Sequence, residues 1–403
     1  MTRQEYLSQI WKSYPAMPAH SKAAGRIYQI ERDGESLKLI LQRDQKTHKI
    51  QFEKAPPYSE FLIEGDLVAV VSSEEILLLA PQKRSLPRRQ FDPELLKTWN
   101  VYVQGLRDFF TSQDFIELKT PSLVVCPGTE PSLDVFSTTL KVGSRTQKLY
   151  LPTSPELHLK KALALGAEKI FEIAPCYRNG EVTERHQPEF LMLEWYRAFD
   201  NLTSIKKDVE NLVHTLTKLL KVPGPRSVKS YSIAELFKSY CDFDLRPDTT
   251  KEELKKLAEK LQVDVRSADS IDDFFFLIFM EKIESKLPPE DLIFVEKYPP
   301  YQAALARLTE DGWGDRFEVY WKGLELANAF HELNHPEIQR LRSAEDLEKK
   351  KDLHKEVVSL DEEFFECLEA GMPPSGGIAL GVERLFMAML GKERISDLRL
   401  FPL

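Results

Sequence analysis

The stretch RNGEVTERHQPEFLMLEWY, residues 178–196, decides how this chain folds. It reads as the end of one strand, a charged connection and a second strand whose side chains alternate between two faces. The alternation separates a mixed face, Phe190, Met192, Glu194 and Tyr196, from an apolar face, Leu191, Leu193 and Trp195. The apolar face predicts a side that packs on a core. The mixed face, with many charges around it, fits either ion pairs on a solvated sheet or a charged ligand.

Further strand-like runs extend the predicted sheet. They are KLYLPTSPE, residues 148–156, KIFEIAPCYRN, residues 169–179, RFEVYWKGLELANAFHEL, residues 316–333, and a run over 115–124 that Pro121 interrupts. Helical spacing predicts a helix that Asp92 caps and helices over 156–165, 203–220 and 251–261. Strands in hairpins with helices beside them predict an α+β fold on an antiparallel sheet.

Residues 25–82 have a different pattern, with short β-type runs separated by turn residues. Five such runs in so short a segment predict a small OB-like β-barrel. The charged, proline-containing segment PQKRSLPRRQ, residues 81–90, is predicted to be a linker. The chain is therefore predicted to contain a barrel module over 1–89 and a larger domain over 90–403.

Composition limits the classes of function. The net charge is −9, and residues 1–89 contain 14 Lys and Arg against 11 Asp and Glu, without a dense basic run. A broad nucleic-acid surface is not predicted, since phosphate contacts need clustered cations. The four cysteines have no CxxC spacing, which disfavours zinc sites and disulfides. With no signal peptide and no long apolar run, the sequence predicts a cytoplasmic protein without a membrane span.

Two carboxylates form a candidate metal site. Glu318 and Glu325 are seven positions apart, which on one straight strand places them on opposite faces. A two-residue hairpin turn at Lys322 and Gly323 changes this arrangement. Glu325 then lies opposite Tyr320 and diagonally from Glu318 on the same face. The pair can share Mg²⁺, which prefers oxygen ligands, and the alternative is two solvated surface carboxylates.

The residues that follow have the opposite parity. Asn328, Phe330 and Glu332 alternate with one another but are out of step with Glu325. All of them can face one cavity only if a β-bulge near Ala327 adds a residue to the strand, and such bulges occur beside active sites. A bulge is therefore part of the prediction.

The segment SGGIALGVERLFMAMLG, residues 375–391, combines a glycine-rich strand with an apolar helix. Arg384 falls in the first turn of this helix, where the positive end of the helix dipole suits a phosphate. A tight turn with a solvated arginine is the ordinary alternative. Glu156 directly follows Pro155 and is likewise expected in the first turn of a helix, where a carboxylate is favoured.

Taken together, these segments resemble the class II aminoacyl-tRNA synthetase catalytic domain. FIELKTP around Pro121 resembles the first class motif, YRNGE with HQPEF and LEWY the second, and GIALGVERL the third. TSPELHLKK, HQPEFLMLEWY and NAFHEL are similar to the lysyl-tRNA synthetase branch, above all to its short relatives that attach β-lysine to elongation factor P. The resemblance covers about residues 92–398 and implies an antiparallel sheet flanked by helices.

The resemblance also implies a role for each candidate residue. Arg178 and Arg384 would be the catalytic groups that hold the α- and γ-phosphates of ATP. The implied ATP-binding residues are Arg178, Glu181, His186, Phe190, Glu318, Glu325 and Arg384, of which Glu318 and Glu325 would carry Mg²⁺. The implied amino-acid pocket comprises Ser154, Glu156, Glu194, Tyr196, Asn328, Phe330, Glu332 and Ala379.

Individual positions refine this picture. Ser154 and Ala379 stand where the elongation factor P ligases tend to have Ser and Ala, and lysyl-tRNA synthetases Ala and Gly. The match implies a pocket for a β-amino acid. The family's usual RNE is RNG here, so Gly180 lacks the carboxylate that contacts adenine, and Glu181 is the neighbouring candidate for that contact.

The sequence thus predicts an AMP-forming ligase that activates lysine or β-lysine with ATP and Mg²⁺ and transfers it to a lysine of elongation factor P. A homodimer through the motif 1 surface is implied by the same resemblance. The alternative is a reduced lysyl-tRNA synthetase or a tRNA-directed relative. A regulatory paralogue that binds ATP or lysine without transfer is disfavoured, because every charged position that activation requires is present.

Overall fold

A computed structural model describes residues 1–10, 17–43, 46–82, 92–266 and 268–399. The chain divides into two compact units, residues 1–97 and 98–403. Most of the predicted linker over 81–90 lies outside the described residues. Each unit has a hydrophobic core of its own and is described separately.

Unit 1 is a five-stranded antiparallel sheet with one short helix. Its strands are β1 (Ala23–Asp33), β2 (Ser36–Arg43), β3 (Lys46–Phe52), β4 (Leu67–Val70) and β5 (Ile76–Ala80), in the order β3-β2-β1-β4-β5. Leu37, Leu39 and Leu41 of β2 are fully buried, as expected for a sheet with one core face. The helix α1 (Arg3–Ile10), which the sequence patterns did not predict, packs Tyr6 on this core. The sheet is consistent with an OB-like fold.

Unit 2 is built on an eight-stranded sheet. The strands of unit 2 are β6 (Ile116–Glu117), β7 (Ser137–Val142), β8 (Arg145–Tyr150), β9 (Lys169–Tyr177), β10 (Glu189–Ala198), β11 (Val228–Ser232), β12 (Leu292–Tyr298), β13 (Gly314–Trp321), β14 (Leu324–His331) and β15 (Ser375–Gly381). The order in the large sheet is β11-β12-β13-β14-β15-β10-β9-β6, and β7 and β8 form a separate hairpin.

The direction of the outer strands differs from the predicted antiparallel sheet. The pairs from β12 to β9 are antiparallel, but β11–β12 and β6–β9 are parallel. Parallel neighbours need a long crossover, and both pairs are separated in the chain by helices. The strand predicted over 115–124 is also much shorter, since only Ile116 and Glu117 pair with β9.

Helices cover the sheet. From α2 onward they are α2 (Pro93–Thr111), α3 (Glu156–Ala164), α4 (Leu202–Leu220), α5 (Ile233–Cys241), α6 (Lys251–Lys260), α7 (Ile271–Ile278), α8 (Pro336–Asp352), α9 (Glu362–Gly371) and α10 (Val382–Leu390), with shorter turns at Ser59–Phe61, Phe279–Ile283, Glu284–Lys286, Pro300–Gln302 and Ile395–Leu398. The Asp92 carboxylate accepts from the backbone N–H groups of Glu94 and Leu95, both at 3.1 Å, which confirms the predicted cap of α2.

Helix α4 packs against the central strands from one side. Trp195 of β10 donates its indole N–H to Asp208 of α4 at 3.2 Å. Gly376 leaves room for this helix, because a Cβ at that position would lie 2.8 Å from Ile205 Cγ1. The side chains that alternate with Trp195 on β10, and those that alternate with Gly376 on β15, therefore point to the side of the sheet away from α4.

Candidate active site

A cavity of about 290 Å³ lies over that other side of the sheet in unit 2. The predicted residues that line it are Ser154, Glu156, Arg178, Glu181, His186, Phe190, Glu325, Asn328, Phe330, Ala379 and Arg384. The remaining predicted residues are not among its lining residues. Glu194 contacts Ser154 and Glu318 pairs with Asn328, both of which line the cavity. Tyr196 contacts Glu194, and Glu332 contacts Lys160, which also contacts the lining residue Glu156. The structure thus brings residues of the second and third motifs to one place, whereas residues 115–121 of the first motif are not among the lining residues.

Two rows of cross-strand neighbours explain why the residues converge. Facing positions of antiparallel strands share a face of the sheet. One row runs from β10 to β13 through Glu194, Ala379, Asn328 and Glu318, and the next through Tyr196, Gly377, Phe330 and Arg316. Four sequence-distant strands therefore present their functional side chains to the same side.

A buried carboxyl group with two hydroxyl partners forms one end of the site. Ser154 Oγ donates to Glu194 Oε1 at 2.5 Å, and the Tyr196 hydroxyl donates to Glu194 Oε2 at 2.9 Å. Burial raises the pKa of Glu194 to about 8, and the nearby Glu156 carboxylate adds to the shift. An ammonium group brought to this end would stabilise the ionised form.

Lys160, which the sequence analysis did not single out, connects two of the predicted carboxylates. Its Nζ lies 2.5 Å from Glu156 Oε1 and 2.6 Å from Glu332 Oε2, and its side chain is completely buried. Burial alone would lower the pKa of Lys160, but attraction to both carboxylates raises it above its ordinary value. The sequence did contain an indication of the pairing, since Lys160 follows Glu156 by one turn of the predicted helix.

Gly377 provides the space in which these groups pack. A Cβ at this position would overlap Glu332 Oε1 and the ring of Tyr196. Gly377 thus lies directly against the predicted amino-acid pocket, where the absence of a side chain permits the close approach of its backbone.

The other end of the cavity carries the two predicted arginines. The Arg178 guanidinium lies over the Phe190 ring, with its Cζ atom 5.1 Å from the ring centroid, and its Nη1 is 3.9 Å from Glu181 Oε2. Gly180 has φ +81°, a left-handed backbone conformation that favours glycine over glutamate. The glycine of RNG therefore fits the left-handed backbone at this position, and Glu181 supplies the carboxylate beside Arg178.

His186 joins the connection after β9 to helix α10. Arg384 Nη2 donates to His186 Nε2, and His186 Nδ1 lies 2.8 Å from Thr183 Oγ1. Burial and the surrounding arginines lower the pKa of His186 to about 4, so the ring is neutral at neutral pH. A neutral ring that accepts at Nε2 carries its proton on Nδ1 and donates it to Thr183.

The predicted hairpin turn and bulge are both present. Lys322 and Gly323 have φ +55° and +70°, as a two-residue turn of type I′ requires, and Glu325 lies opposite Tyr320. The pairing skips Leu326, so the bulge lies next to the predicted position near Ala327.

The two carboxylates of the predicted metal site differ in their surroundings. Glu325 lines the cavity, and burial together with the neighbouring Glu318 raises the pKa of Glu325 to about 7. Glu318 accepts from the Tyr298 hydroxyl at 2.5 Å and the Tyr320 hydroxyl at 2.6 Å, and also from Arg316. Within the described ranges, no group of three or more His, Cys, Asp or Glu side chains has metal-binding geometry. The site can therefore supply at most two carboxylate ligands, of which only Glu325 is open to the cavity.

Glu130 is a lining residue that sequence reasoning missed. It lies in the loop segment CPGTEP, residues 126–131, where no periodicity marks a functional position. Glu383 was also missed, although it directly precedes Arg384. It accepts from the backbone N–H of Leu191 at 2.9 Å and from Arg399 at 2.7 Å, so it secures α10 to β10.

Comparison with known proteins identifies relatives over most of the chain. Residues 79–403 match the family described as tRNA synthetases class II (D, K and N). An elongation factor P–(R)-β-lysine ligase of Proteus mirabilis is 36% identical over 315 residues, which cover 76% of this chain and 94% of that protein. The ligase of the same name from Haemophilus influenzae Rd is 37% identical over 299 residues, or 73% and 90% of the two chains. That of Salmonella arizonae is 35% identical over 317 residues, or 77% and 94%.

Proposed function

Because the chain belongs to the class II tRNA synthetase family of the D, K and N enzymes, we propose that it is an ATP-dependent ligase for lysine or β-lysine. The acceptor in this proposal is a lysine side chain of elongation factor P, because the relatives of this chain are named as ligases of that protein. One observation carries the proposal most strongly. A single cavity has Arg178 and Arg384 at one end and Ser154 and Glu156, beside buried Glu194, at the other.

The first step joins the amino acid to AMP. A carboxylate oxygen of the amino acid attacks the α-phosphorus of ATP, and the bond to the bridging oxygen breaks to release pyrophosphate. Both reactants are anionic, so alignment and charge neutralisation lower the barrier. Arg178 would neutralise the α-phosphate, Arg384 the terminal phosphate, and Phe190 would stack on adenine.

A bound Mg²⁺ ion would supply positive charge that offsets the charge of the phosphates in this step. Glu325 would hold it from the cavity wall, with Glu318 behind. The fit is supported by the register of the hairpin, which places Glu325 opposite Tyr320 and Glu318 opposite Asn328, so that two carboxylates offer the oxygen ligands that Mg²⁺ prefers. Arg316 and the two tyrosines already satisfy Glu318, so Glu325 is the principal ligand in this proposal.

The second step transfers the acyl group. The acceptor amine attacks the acyl carbon, AMP leaves, and the nitrogen loses a proton as the amide forms. The carboxylates of the amino-acid pocket would hold the positively charged amino acid throughout. No side-chain nucleophile is required.

Two further parts of the proposal concern organisation. We place the boundary between the N-terminal module and the catalytic domain at residues 89 and 90, and we propose a homodimer through the motif 1 segment. Exposed apolar side chains lie in that segment, at Ile116, and just after it, at Leu123 and Val125, which supports an interface there. In the described part of the chain, each helix is too short or too polar to cross a membrane.

ATP–pyrophosphate exchange with lysine and with β-lysine tests the activation step. Transfer of the labelled amino acid to elongation factor P or to tRNA then tests the acceptor. Efficient charging of tRNA with elongation factor P left unmodified would contradict the proposal and favour the tRNA-directed alternative.

The Glu325→Gln variant tests the metal role. We expect it to abolish exchange, because the amide removes the anionic ligand that the cavity offers. Glu310→Gln makes the same chemical change at an exposed glutamate outside the cavity and should exchange normally. Near-normal exchange by the Glu325 variant would exclude Glu325 from the metal site.

A further inference from the structure

Among the residues that the structure describes, one carboxylate of the cavity has no cationic side chain within ion-pair distance. Five glutamates line the cavity in the described part of the chain. Four have a cationic partner within 4 Å, namely Glu156 with Lys160, Glu181 with Arg178, Glu325 with Arg384, and Glu383 with Arg399. Among the described residues, Glu130 has no lysine, arginine or histidine within that distance. A lining carboxylate without a partner is available to a cationic ligand.

The loop around Glu130 is shaped to hold its carboxylate. Gly128 has φ +139°, and a Cβ there would lie 2.8 Å from Thr153 Oγ1 and would overlap Glu130 Oε2. Thr153 is itself fixed, since its hydroxyl donates to the Pro127 carbonyl at 2.6 Å. The carboxylate therefore rests against the backbone of its own loop, next to the segment that carries Ser154 and Glu156.

Its electrostatic neighbours locate Glu130 along the cavity. Burial raises the pKa of Glu130, the Glu156 carboxylate raises it further, and Arg178 and Lys350 lower it. Glu156 belongs to the predicted amino-acid end and Arg178 to the predicted phosphate end. Glu130 thus lines the same cavity as both groups and is close enough to Glu156 and to Arg178 for their charges to shift its pKa.

We propose that Glu130 is a specificity residue that binds the ammonium group next to the reacting carboxylate of the amino acid. This inference rests on the proposed function, which places the reacting carboxylate at Arg178. Glu194 and its partners, on the far side of Glu156, then remain for the distal ammonium. The site would bind the two ammonium groups of a diamino acid with separate carboxylates, that of Glu130 on a loop and that of Glu194 on the sheet.

The test compares substrate analogues in Glu130→Gln. 6-Aminohexanoate lacks the amino group near the carboxylate, whereas norleucine retains it and lacks the distal one. Inhibition constants of both are measured against ATP–pyrophosphate exchange with lysine or β-lysine. We expect kcat/KM for the diamino acid to fall, and the inhibition constant of norleucine to rise, each about tenfold or more. The inhibition constant of 6-aminohexanoate and the KM for ATP should change less than about twofold.

Two further variants make the result decisive. Glu310→Gln is the matched control and should behave as the wild-type protein. Glu130→Asp keeps the charge but shortens the side chain, so it should show a smaller loss of the same kind, and it replaces the glutamine variant if that protein does not fold. If the inhibition constants of both analogues rise equally in the Glu130 variants, or if neither rises, the inference is overturned. The proposed function still stands in that case, provided that the wild-type protein catalyses exchange. Absence of wild-type exchange with either diamino acid would overturn the proposed function itself.

Discussion

At the scale of single residues, Gly377 is the position where the smallest change should have the largest effect. A methyl group there would overlap the Glu332 carboxylate and the Tyr196 ring. We expect Gly377→Ala to lower kcat/KM for the amino acid by about 5- to 150-fold, since overpacking of this kind costs about 1–3 kcal/mol. The KM for ATP should change little, because the arginines lie at the other end. Steady-state exchange kinetics measure both.

Gly224→Ala is the control for this variant. The nearest atom to its added Cβ is Thr217 Oγ1 at 3.4 Å, an ordinary contact, and Gly224 has no positive φ. It should leave the kinetics unchanged. Equal effects of the two substitutions on kcat/KM would contradict a specific role of the space at Gly377.

The buried carboxyl group of Glu194 predicts how amino-acid binding depends on pH. Its pKa of about 8, raised by burial and by Glu156, means that the unliganded site holds a proton at neutral pH. An ammonium ligand favours the ionised form, so binding releases this proton and affinity should rise with pH up to about 8, by about tenfold per unit at the steepest. The raised pKa of Glu194 also stabilises the folded, unliganded protein at low pH. This contribution to the free energy of unfolding is lost as the pH rises through about 8.

Calorimetry in two buffers of different ionisation enthalpy measures both the affinity and the proton release. Glu194→Gln should bind the amino acid more weakly and with a smaller pH dependence. An affinity that is flat between pH 6 and pH 8 in the wild-type protein, without proton release, would contradict the raised pKa of Glu194.

Most of the lining residues could be predicted because their motifs combine residue types with recognisable spacing. The placement of Glu325 and Asn328 on one face of the sheet requires a turn and a bulge. The turn and the bulge could be inferred from the alternation of the neighbouring side chains. Glu130 could not be inferred, since a loop has no periodicity that assigns a side chain to a face. Lys160 looked like an ordinary helical lysine because burial is decided by tertiary packing.

At the scale of elements, helix α4 supports the sheet from the side opposite the cavity. Asn201 caps it by accepting from the backbone N–H of Thr203 at 2.9 Å. Asn201→Ala should lower the free energy of unfolding by about 1 kcal/mol. Thr203→Ala, which keeps the backbone donor, should not produce this loss. Denaturant titration compares the two, and an equal loss in both variants would exclude the cap as its cause.

Helices and hairpins were the most predictable elements. The helices predicted over 156–165, 203–220 and 251–261 end within one residue of their observed bounds. Helix α1 was not predicted, since its eight residues have weak apolar periodicity and it is held by tertiary contacts such as Arg3 with Asp66 at 2.7 Å. The parallel direction of β6 and β11 was also missed, because direction at a sheet edge follows from distant crossovers.

At the scale of the whole molecule, exposed apolar side chains in and just after the motif 1 segment predict self-association. Val125 is 47% exposed, and Ile116 and Leu123 are exposed nearby in the chain. We expect Val125→Glu to convert a dimer into a monomer in sedimentation experiments, because a charge buried in an apolar interface is costly. Leu165→Glu, at an exposed apolar residue of the loop after α3, should leave the dimer intact. A wild-type protein that sediments as a monomer would contradict the proposed interface.

One hydroxyl group has a consequence for the evolution of substrate choice. Ser154 Oγ donates to the Glu194 carboxyl group and accepts from the backbone N–H of Glu156 at 2.9 Å, so one oxygen atom links a buried carboxyl group of β10 to the first residue of α3. Exchange of this serine for alanine would remove this link, while the Tyr196 hydroxyl kept its contact with Glu194 and the strands beneath kept their register. A lineage could therefore drift between related diamino acids through a single codon, without rebuilding the scaffold that holds ATP.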